Sequence, residues 1–190
     1  MRTKNSNIGV GAMRLLRTIL AGGLIAGALD ITYAFVVYGP LSYQMSPVQI
    51  LQSVAAGWVG HDAASARGLS TAVLGFATHF MMAIAMAAVF VLSSRRVQAL
   101  NRSPLIWGFL YGLGLYAVMT YVVVPLSAAH PSQHFATDLR EVLSRLQVSF
   151  SSLRPHDRWQ LLGTLFTHTA FVGMPIALMS QRGRSRSPLT

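Results

Sequence analysis

The sequence predicts an all-α, polytopic membrane protein built from four transmembrane helices. Three observations carry that prediction. Hydrophobic residues make up 53% of the 190 positions and charged residues only 11%, whereas soluble domains run near about 25% charged. Such an inventory cannot cover an ordinary water-facing surface. Four apolar stretches each reach the roughly 20 residues that a helix needs to cross a hydrocarbon core. Lys and Arg number 15 against 5 for Asp and Glu, as expected of a chain with cationic loops between spans. Mean hydropathy is +0.49. A basic excess on so apolar a chain argues against nucleic-acid binding, where it would sit on a polar fold. With no Cys, disulfides, thiolate metal sites and Cys nucleophiles are excluded.

The first stretch runs from Leu16 to Tyr38. Arg14 and Arg17 precede it and Ala26-Gly27-Ala28 imitates a signal cleavage site, but the apolar run continues through Ile31 to Tyr38. It therefore reads as a retained span. The second runs from Leu69 to Leu92, the third from Pro104 to Ser127 and the fourth from Trp159 to Met179. Backbone groups cannot be left unpaired in lipid, so each stretch is a helix. Pro175 interrupts the fourth, and proline removes a ladder bond and bends a helix.

Two segments outside the spans carry helical stripes. Ser46 to Gly60 places Val48, Leu51, Val54, Ala55 and Trp58 on one stripe. Thr137 to Leu153 does the same with Leu139, Val142, Leu143, Leu146, Phe150 and Leu153, and pairs Glu141 with Arg145 at i,i+4. Both are too short and too polar to span. They read as amphipathic helices that lie in the interface or cap the bundle. The polar tail 181–190 reads as disordered. Ten of the 15 positive charges lie before span one, between spans two and three, or after span four. The positive-inside rule then places both termini in the cytoplasm, with Arg154 and Arg158 as the opposing charges.

The halves 15–92 and 104–179 share a pattern. Span one ends in Thr32-Tyr33 followed by Pro40-Leu41-Ser42, and span three in Thr120-Tyr121 followed by Pro125-Leu126-Ser127. Gly23-xxx-Gly27 is echoed by Gly108-xxx-Gly112. Spans two and four each carry one His preceded by Thr, at Thr78-His79 and Thr167-His168. The separations Thr32 to His79 and Thr120 to His168 are 47 and 48 positions. Matched order and spacing point to a duplicated hairpin related by a pseudo-two-fold along the membrane normal.

The polar residues inside the spans are the candidate site. Asp30 is the one carboxylate within any span and shares a helix face with Gly23 and Gly27. A charge at depth costs at least about 2.5–3.5 kcal/mol, so it needs a partner or a proton. At 1.5 Å per residue, Asp30, His79 and His168 all lie roughly 12–15 Å below the outer boundary. Tyr116, Thr120 and Tyr121 of span three fall at similar depth. Asp30, His79, His168, Tyr116 and Thr120 are therefore the expected proton, ion or solute site. In the matched frame Asp30 corresponds to Val118, so only one half carries the acid. His79 and His168 also admit haem ligation or a divalent metal held with a carboxylate, while no metal-site motif is present. His130, His134 and His156 are further solvated loop imidazoles.

The stretches Gly27-Ala28-Leu29-Asp30, Leu51-Gln52-Ser53-Val54-Ala55-Ala56-Gly57, Val124-Pro125-Leu126-Ser127 and Val172-Gly173-Met174-Pro175-Ile176-Ala177-Leu178 are similar to those of small bacterial four-helix integral membrane proteins of unknown function. The resemblance covers Ile19 to Met179 and implies a four-span fold in the bacterial cytoplasmic membrane. It implies no activity. The leading expectation is a small transport-like module handling a proton, an ion or a small solute. The alternatives are a structural or assembly protein and a haem- or metal-binding electron-transfer protein. No nucleophile or phosphate-loop motif marks an enzyme. The expected partners are the lipid bilayer and a second copy or another membrane protein.

Overall fold

The computed structural model describes residues 2–151 and 158–185, with side chains described for 9–151 and 159–183. His156, Arg154, Leu153 and Arg186 lie outside those residues. Helix α1 (Arg2–Val36) runs into a π-helical turn, Val37–Leu41, broken at Gly39. After it come α2 (Pro47–Val59), α3 (His61–Ala66), α4 (Leu69–Arg96), α5 (Ala99–Arg102) and α6 (Pro104–Val118). A second π-helical turn, Met119–Val123, joins α6 to α7 (Val124–Leu126). Helix α8 (Leu139–Ser151) is followed by α9 (Arg158–Phe166), a third π-helical turn, Thr167–Gly173, and α10 (Met174–Ser185). No strand occurs among the described residues. Among the described residues, four segments are long and apolar enough to cross a membrane: Gly9–Leu41, Leu69–Arg96, Pro104–Leu126 and Trp159–Gly183. They are the four predicted spans, and the chain is a membrane protein.

Each π-helical turn contains or adjoins a proline: Pro40 within the first, Pro125 after the second and Pro175 after the third. A proline ring collides with the carbonyl four residues back and cannot donate to it. Widening the preceding turn to i→i+5 removes the collision without breaking the span.

Glycines set the helix crossings. A Cβ on Gly23 would fall 2.5 Å from Ile84 Cα, and one on Gly27 would fall 3.0 Å from the Phe80 ring, so α1 lies against α4. On the other side Gly108 meets Met174 and Ala177 of α10, and Gly112 meets His168 and Thr169. Both small-residue pairs thus serve the close backbone approach expected of membrane helices. The core at the centre is Ala26, Ala87, Phe90, Val172, Ile176 and Ala177, drawn from α1, α4 and the fourth span. The third span touches α4 through Tyr111, whose hydroxyl donates to Met86 O at 2.7 Å.

Both chain ends lie at one end of the bundle, because Gly183 of α10 packs against Thr18 of α1. A polar knot reinforces this end. The Ser94 and Ser180 hydroxyls meet at 2.8 Å, Asn101 Nδ2 donates to Ser94 O, and Gln181 Nε2 donates to Asn101 O at 3.1 Å. The reading of 181–190 as disordered is corrected for 181–185, which continue α10. Packing of Gly183 and the Gln181 bond fix them; residues 186–190 lie outside the described residues.

The two amphipathic segments behave differently. Helix α2 opens with a capping box between Ser46 and Gln49 and packs on Gly75 of α4, burying Ile50, Gln52, Ala55 and Ala56. It belongs to the bundle. Helix α8 leaves Leu139 73% and Leu143 59% exposed, while its Phe150 stacks on Tyr121 of the third span.

Arg145, read from the sequence only as the i,i+4 partner of Glu141, is buried. Its guanidinium donates to Pro125 O at 3.2 Å, His134 O at 3.0 Å, Ser132 Oγ at 2.7 Å and the Glu141 carboxylate. It clamps the 127–137 loop onto α8. Arg145→Met removes all four bonds, and amide exchange at Ala136, which donates to Leu126 O, should accelerate at least about tenfold. Unchanged exchange there would refute the clamp. The Glu141 carboxyl is held from the ordinary 4.5 down to about 2 by the Thr137 backbone N–H and then by Arg145. A depressed acid stabilises above its unfolded pKa and loses that contribution as pH falls through the folded one. The contribution of Glu141 to holding this loop is thus expected to be lost between pH 4.5 and about 2.

Candidate functional site

Asp30 sits on α1 one turn beyond Gly27, at the level where α1 meets both α4 and the fourth span. Its Oδ1 accepts a hydrogen bond from Thr167 Oγ1 at 2.6 Å. Its Oδ2 lies 4.0 Å from His79 Nε2. The His79 ring in turn donates from Nε2 to Gly27 O at 2.9 Å and stands edge-on to Phe80. The site is mostly shielded, with side chains 25% exposed for Asp30 and 13% for His79.

The local sequence explains the arrangement. Gly27 has no Cβ, so α4 comes near enough for an imidazole on α4 to reach a carbonyl of α1. Thr167 is the first residue of the third π-helical turn, and it is buried. In a medium that excludes water, an unmatched carboxylate is costly. Here a hydroxyl donor and an imidazole supply the match. The pair is overall neutral as carboxylate with imidazolium or as carboxylic acid with imidazole. His79 Nε2 gives its hydrogen to Gly27 O and lies 4.0 Å from Asp30 Oδ2, so the two groups are close neighbours without a direct hydrogen bond.

The structure brings together Asp30 and His79 and adds Thr167, which the sequence reading had as a flank of His168. It does not bring in His168. That imidazole donates from Nδ1 to Thr164 O of its own helix at 2.9 Å, and its ring stands edge-on to Tyr116 at 6.0 Å. Tyr116 contacts the Tyr121 and Thr120 side chains through its hydroxyl, and Tyr121 stacks on Phe150 of α8. The single five-residue centre expected from equal depth is thus two groups, one on α1 and α4 and one on span three and the fourth span. One position along a helix turns a side chain by about 100°, so Thr167 and His168 face different neighbours. The signal that could have found Thr167 was its place beside His168, one step away on the face nearer α1.

The two histidines belong to different groups: His79 Nε2 donates to Gly27 O and His168 Nδ1 donates to Thr164 O. Among the described residues no three His, Asp or Glu side chains are placed to hold one metal ion. His130 Nδ1 meets Ser132 Oγ and His134 Nδ1 meets Phe135 O, so these loop imidazoles are engaged locally.

Above Asp30, towards the end away from the termini, a cavity of about 110 Å³ lies between spans one and four. Its lining is mainly apolar, from Tyr33, Val37, Tyr38, Tyr43 and Trp159, with Ser42 and Gln160 adding polar groups. A water needs only about 10–15 Å³ of such volume. The Tyr33 ring lies one turn above Asp30 and packs against Phe166 and Phe171, with its hydroxyl over Gly163. Below Asp30 the apolar core of Ala26, Phe90 and Ile176 fills the bundle. A larger cavity of about 560 Å³ opens between α2, α4 and the second π-helical turn. It is lined by apolar side chains such as Met82, Met119 and Val122, and its Thr78 hydroxyl already accepts the Trp58 indole N–H. It carries no titratable group and is not part of the Asp30 site. Compared with known proteins, the chain matches no family model, no curated protein and no solved structure.

Proposed function

We propose that this membrane protein handles protons through the Asp30–His79 pair, as a small transport-like module. The observation that carries the reading is a carboxylate 4.0 Å from an imidazole, deep in a membrane bundle, with Thr167 holding the second carboxylate oxygen. Carboxylates and imidazoles within spans are the groups from which proton relays are built. A proton suits the ligand set better than a hard cation, which takes six or more oxygen ligands in the case of calcium. In this reading the small cavity bounded by Tyr33 and Tyr43 is the approach from the end opposite the termini. The apolar core closes the other direction, so passage requires the fourth span to rearrange, and the third π-helical turn is the place where its ladder is already widened.

By the charge count this approach faces away from the cytoplasm, with both termini inside. The resemblance to bacterial four-span proteins favours the cytoplasmic membrane. We also read the two hairpins as copies, because Gly23 and Gly27 meet span two as Gly108 and Gly112 meet span four. Superposing the halves should bring Thr32 onto Thr120 and His79 onto His168 within about one helical turn, roughly 5.4 Å. Larger separations would end the duplication reading.

The functional test is reconstitution of the full chain in liposomes enclosing a pH-sensitive dye. An imposed pH gradient should collapse faster than in protein-free vesicles, and His79→Gln should slow the collapse at least about tenfold. Wild-type vesicles as tight as empty ones would refute the reading and favour a structural role.

A further inference from the structure

We propose that the cavity between α2, α4 and the second π-helical turn holds a hydrocarbon chain of a membrane phospholipid. Its volume is about 560 Å³, within the roughly 300–1,000 Å³ of small-molecule sites. It lies apart from Asp30, so the proposal does not depend on proton handling.

The chemistry of the walls identifies the occupant. No charged or titratable side chain lines the cavity. Its polar side chains are Ser53, Trp58, Thr78 and Ser127, and each already has a partner within the protein. Ser53 Oγ donates to Ile50 O at 2.7 Å, the Trp58 indole N–H donates to Thr78 Oγ1 at 2.9 Å, and Ser127 Oγ donates to Val124 O at 2.9 Å. A ligand with a hydrogen-bonding group would bury that group unmatched, at a cost that a hydrocarbon does not incur. Water is a poor occupant for the same reason, and apolar cavities stay dry and take apolar ligands.

Depth favours a chain over a compact molecule. Along the third span the lining runs from Leu126 to Met119, seven positions and roughly 10 Å of helix. On α4 it includes Thr78 and, one turn nearer the termini, Met82. The slot thus follows the spans inward from the end away from the termini, parallel to the chains of a surrounding lipid leaflet. Trp58 and Phe135 flank its outer end edge to face, 6.1 Å apart, and both are exposed there with Val124. Tryptophan concentrates at the headgroup level of a bilayer, so the slot opens where the glycerol of a phospholipid lies. Met82 and Met119 at the inner end are flexible thioethers that adapt to a mobile chain.

Gly57 of α2 also lines the slot, and a Cβ there would meet only Ser127 Oγ, at an ordinary 4.0 Å. Gly57→Leu therefore fills the slot without a backbone clash. Gly114→Leu adds the same side chain to α6, where nothing lies within 4 Å of an added Cβ. The test titrates the purified full chain in neutral detergent with a phosphatidylcholine brominated on one acyl chain. All proteins carry W107F/W159F, so that Trp58 alone reports. Quenching of Trp58 should saturate near one lipid per chain. In G57L saturation should need at least about tenfold more lipid, because a chain must enter a space already filled. In G114L it should change less than about twofold, as for an independent site. The lipid should also raise the thermal unfolding midpoint of the parent and of G114L but not of G57L. That second readout does not depend on the surroundings of Trp58. Should G57L not fold, V122F from the third-span wall takes its place with the same expectation. Quenching that rises without saturating, or that saturates alike in the filled variant, would mark contact with bulk lipid and overturn the proposal. A parent protein that runs as a dimer where the filled variant runs as a monomer would assign the slot to a second copy and overturn it too.

Discussion

Asp30→Asn is expected to abolish proton flux while leaving the bundle folded. Asn keeps the size of the side chain and an oxygen that accepts from Thr167, whose hydroxyl lies 2.6 Å from Asp30 Oδ1. It loses the ability to bind and release a proton. The neighbouring His79 would keep its bond to Gly27 O, so the α1–α4 contact survives. The packing cost should stay within the roughly 0.5–1.5 kcal/mol typical of one altered hydrogen bond. Thr167→Val provides the contrast. It removes the hydroxyl but leaves both titratable groups, so flux should fall and shift in pH dependence rather than vanish. The measurement is the dye assay in liposomes at matched protein content, with monodispersity in detergent as the folding control. Undiminished flux in Asp30→Asn would remove the mechanism.

Gly112→Val is expected to detach the third span, the largest stability loss of any single substitution considered. A Cβ on Gly112 would fall 2.6 Å from Thr169 Cα and nearer still to His168 O. These are backbone atoms, which cannot swing aside as a side-chain tip can. Gly173 faces the same contact from the other helix, where its own Cβ would lie 2.8 Å from Gly112 N. Gly108 and Gly112 are also the only buried residues of α6, so the third span has little other packing to retain it. Forcing atoms into packed interfaces costs about 1–3 kcal/mol when neighbours can move; here they cannot, and more is expected. Gly114 on the same helix has nothing within 4 Å of an added Cβ. Gly114→Ala should therefore be neutral or slightly stabilising. Thermal unfolding and size-exclusion profiles of the two variants decide the point. Equal behaviour would show that the glycine crossing does not hold span three.

Much of the architecture was legible without coordinates. Span number and limits depend on local apolar length and on charge, both of which are written directly in the chain. The four observed segments begin or end within a few residues of those read from Leu16, Leu69, Pro104 and Trp159, apart from α1, which extends further towards the N-terminus. The close-packing glycines were legible for the same reason: a small residue every four positions marks one face. The candidate site was half legible. An acid and an imidazole inside spans demand partners on energetic grounds, and Asp30 and His79 do face each other.

Which partners meet was decided by the tertiary structure alone. Thr167 reaches Asp30 across 137 positions of sequence, and no local pattern encodes that meeting. Depth along a helix follows from counting residues, but direction around it depends on every turn between the anchor and the site. The π-helical turns at Val37–Leu41, Met119–Val123 and Thr167–Gly173 change that phase. A wider turn rotates everything beyond it relative to an ideal 3.6-residue helix. His168 consequently faces Tyr116 while its neighbour Thr167 faces Asp30. The burial of Arg145 has the same origin, since its acceptors Pro125 O and His134 O come from a loop that only the folded bundle brings to α8. Composition and length determined that this chain enters a membrane and how often it crosses. Helix rotation and the glycine crossings, which are properties of the packed bundle, decided where its polar chemistry is assembled.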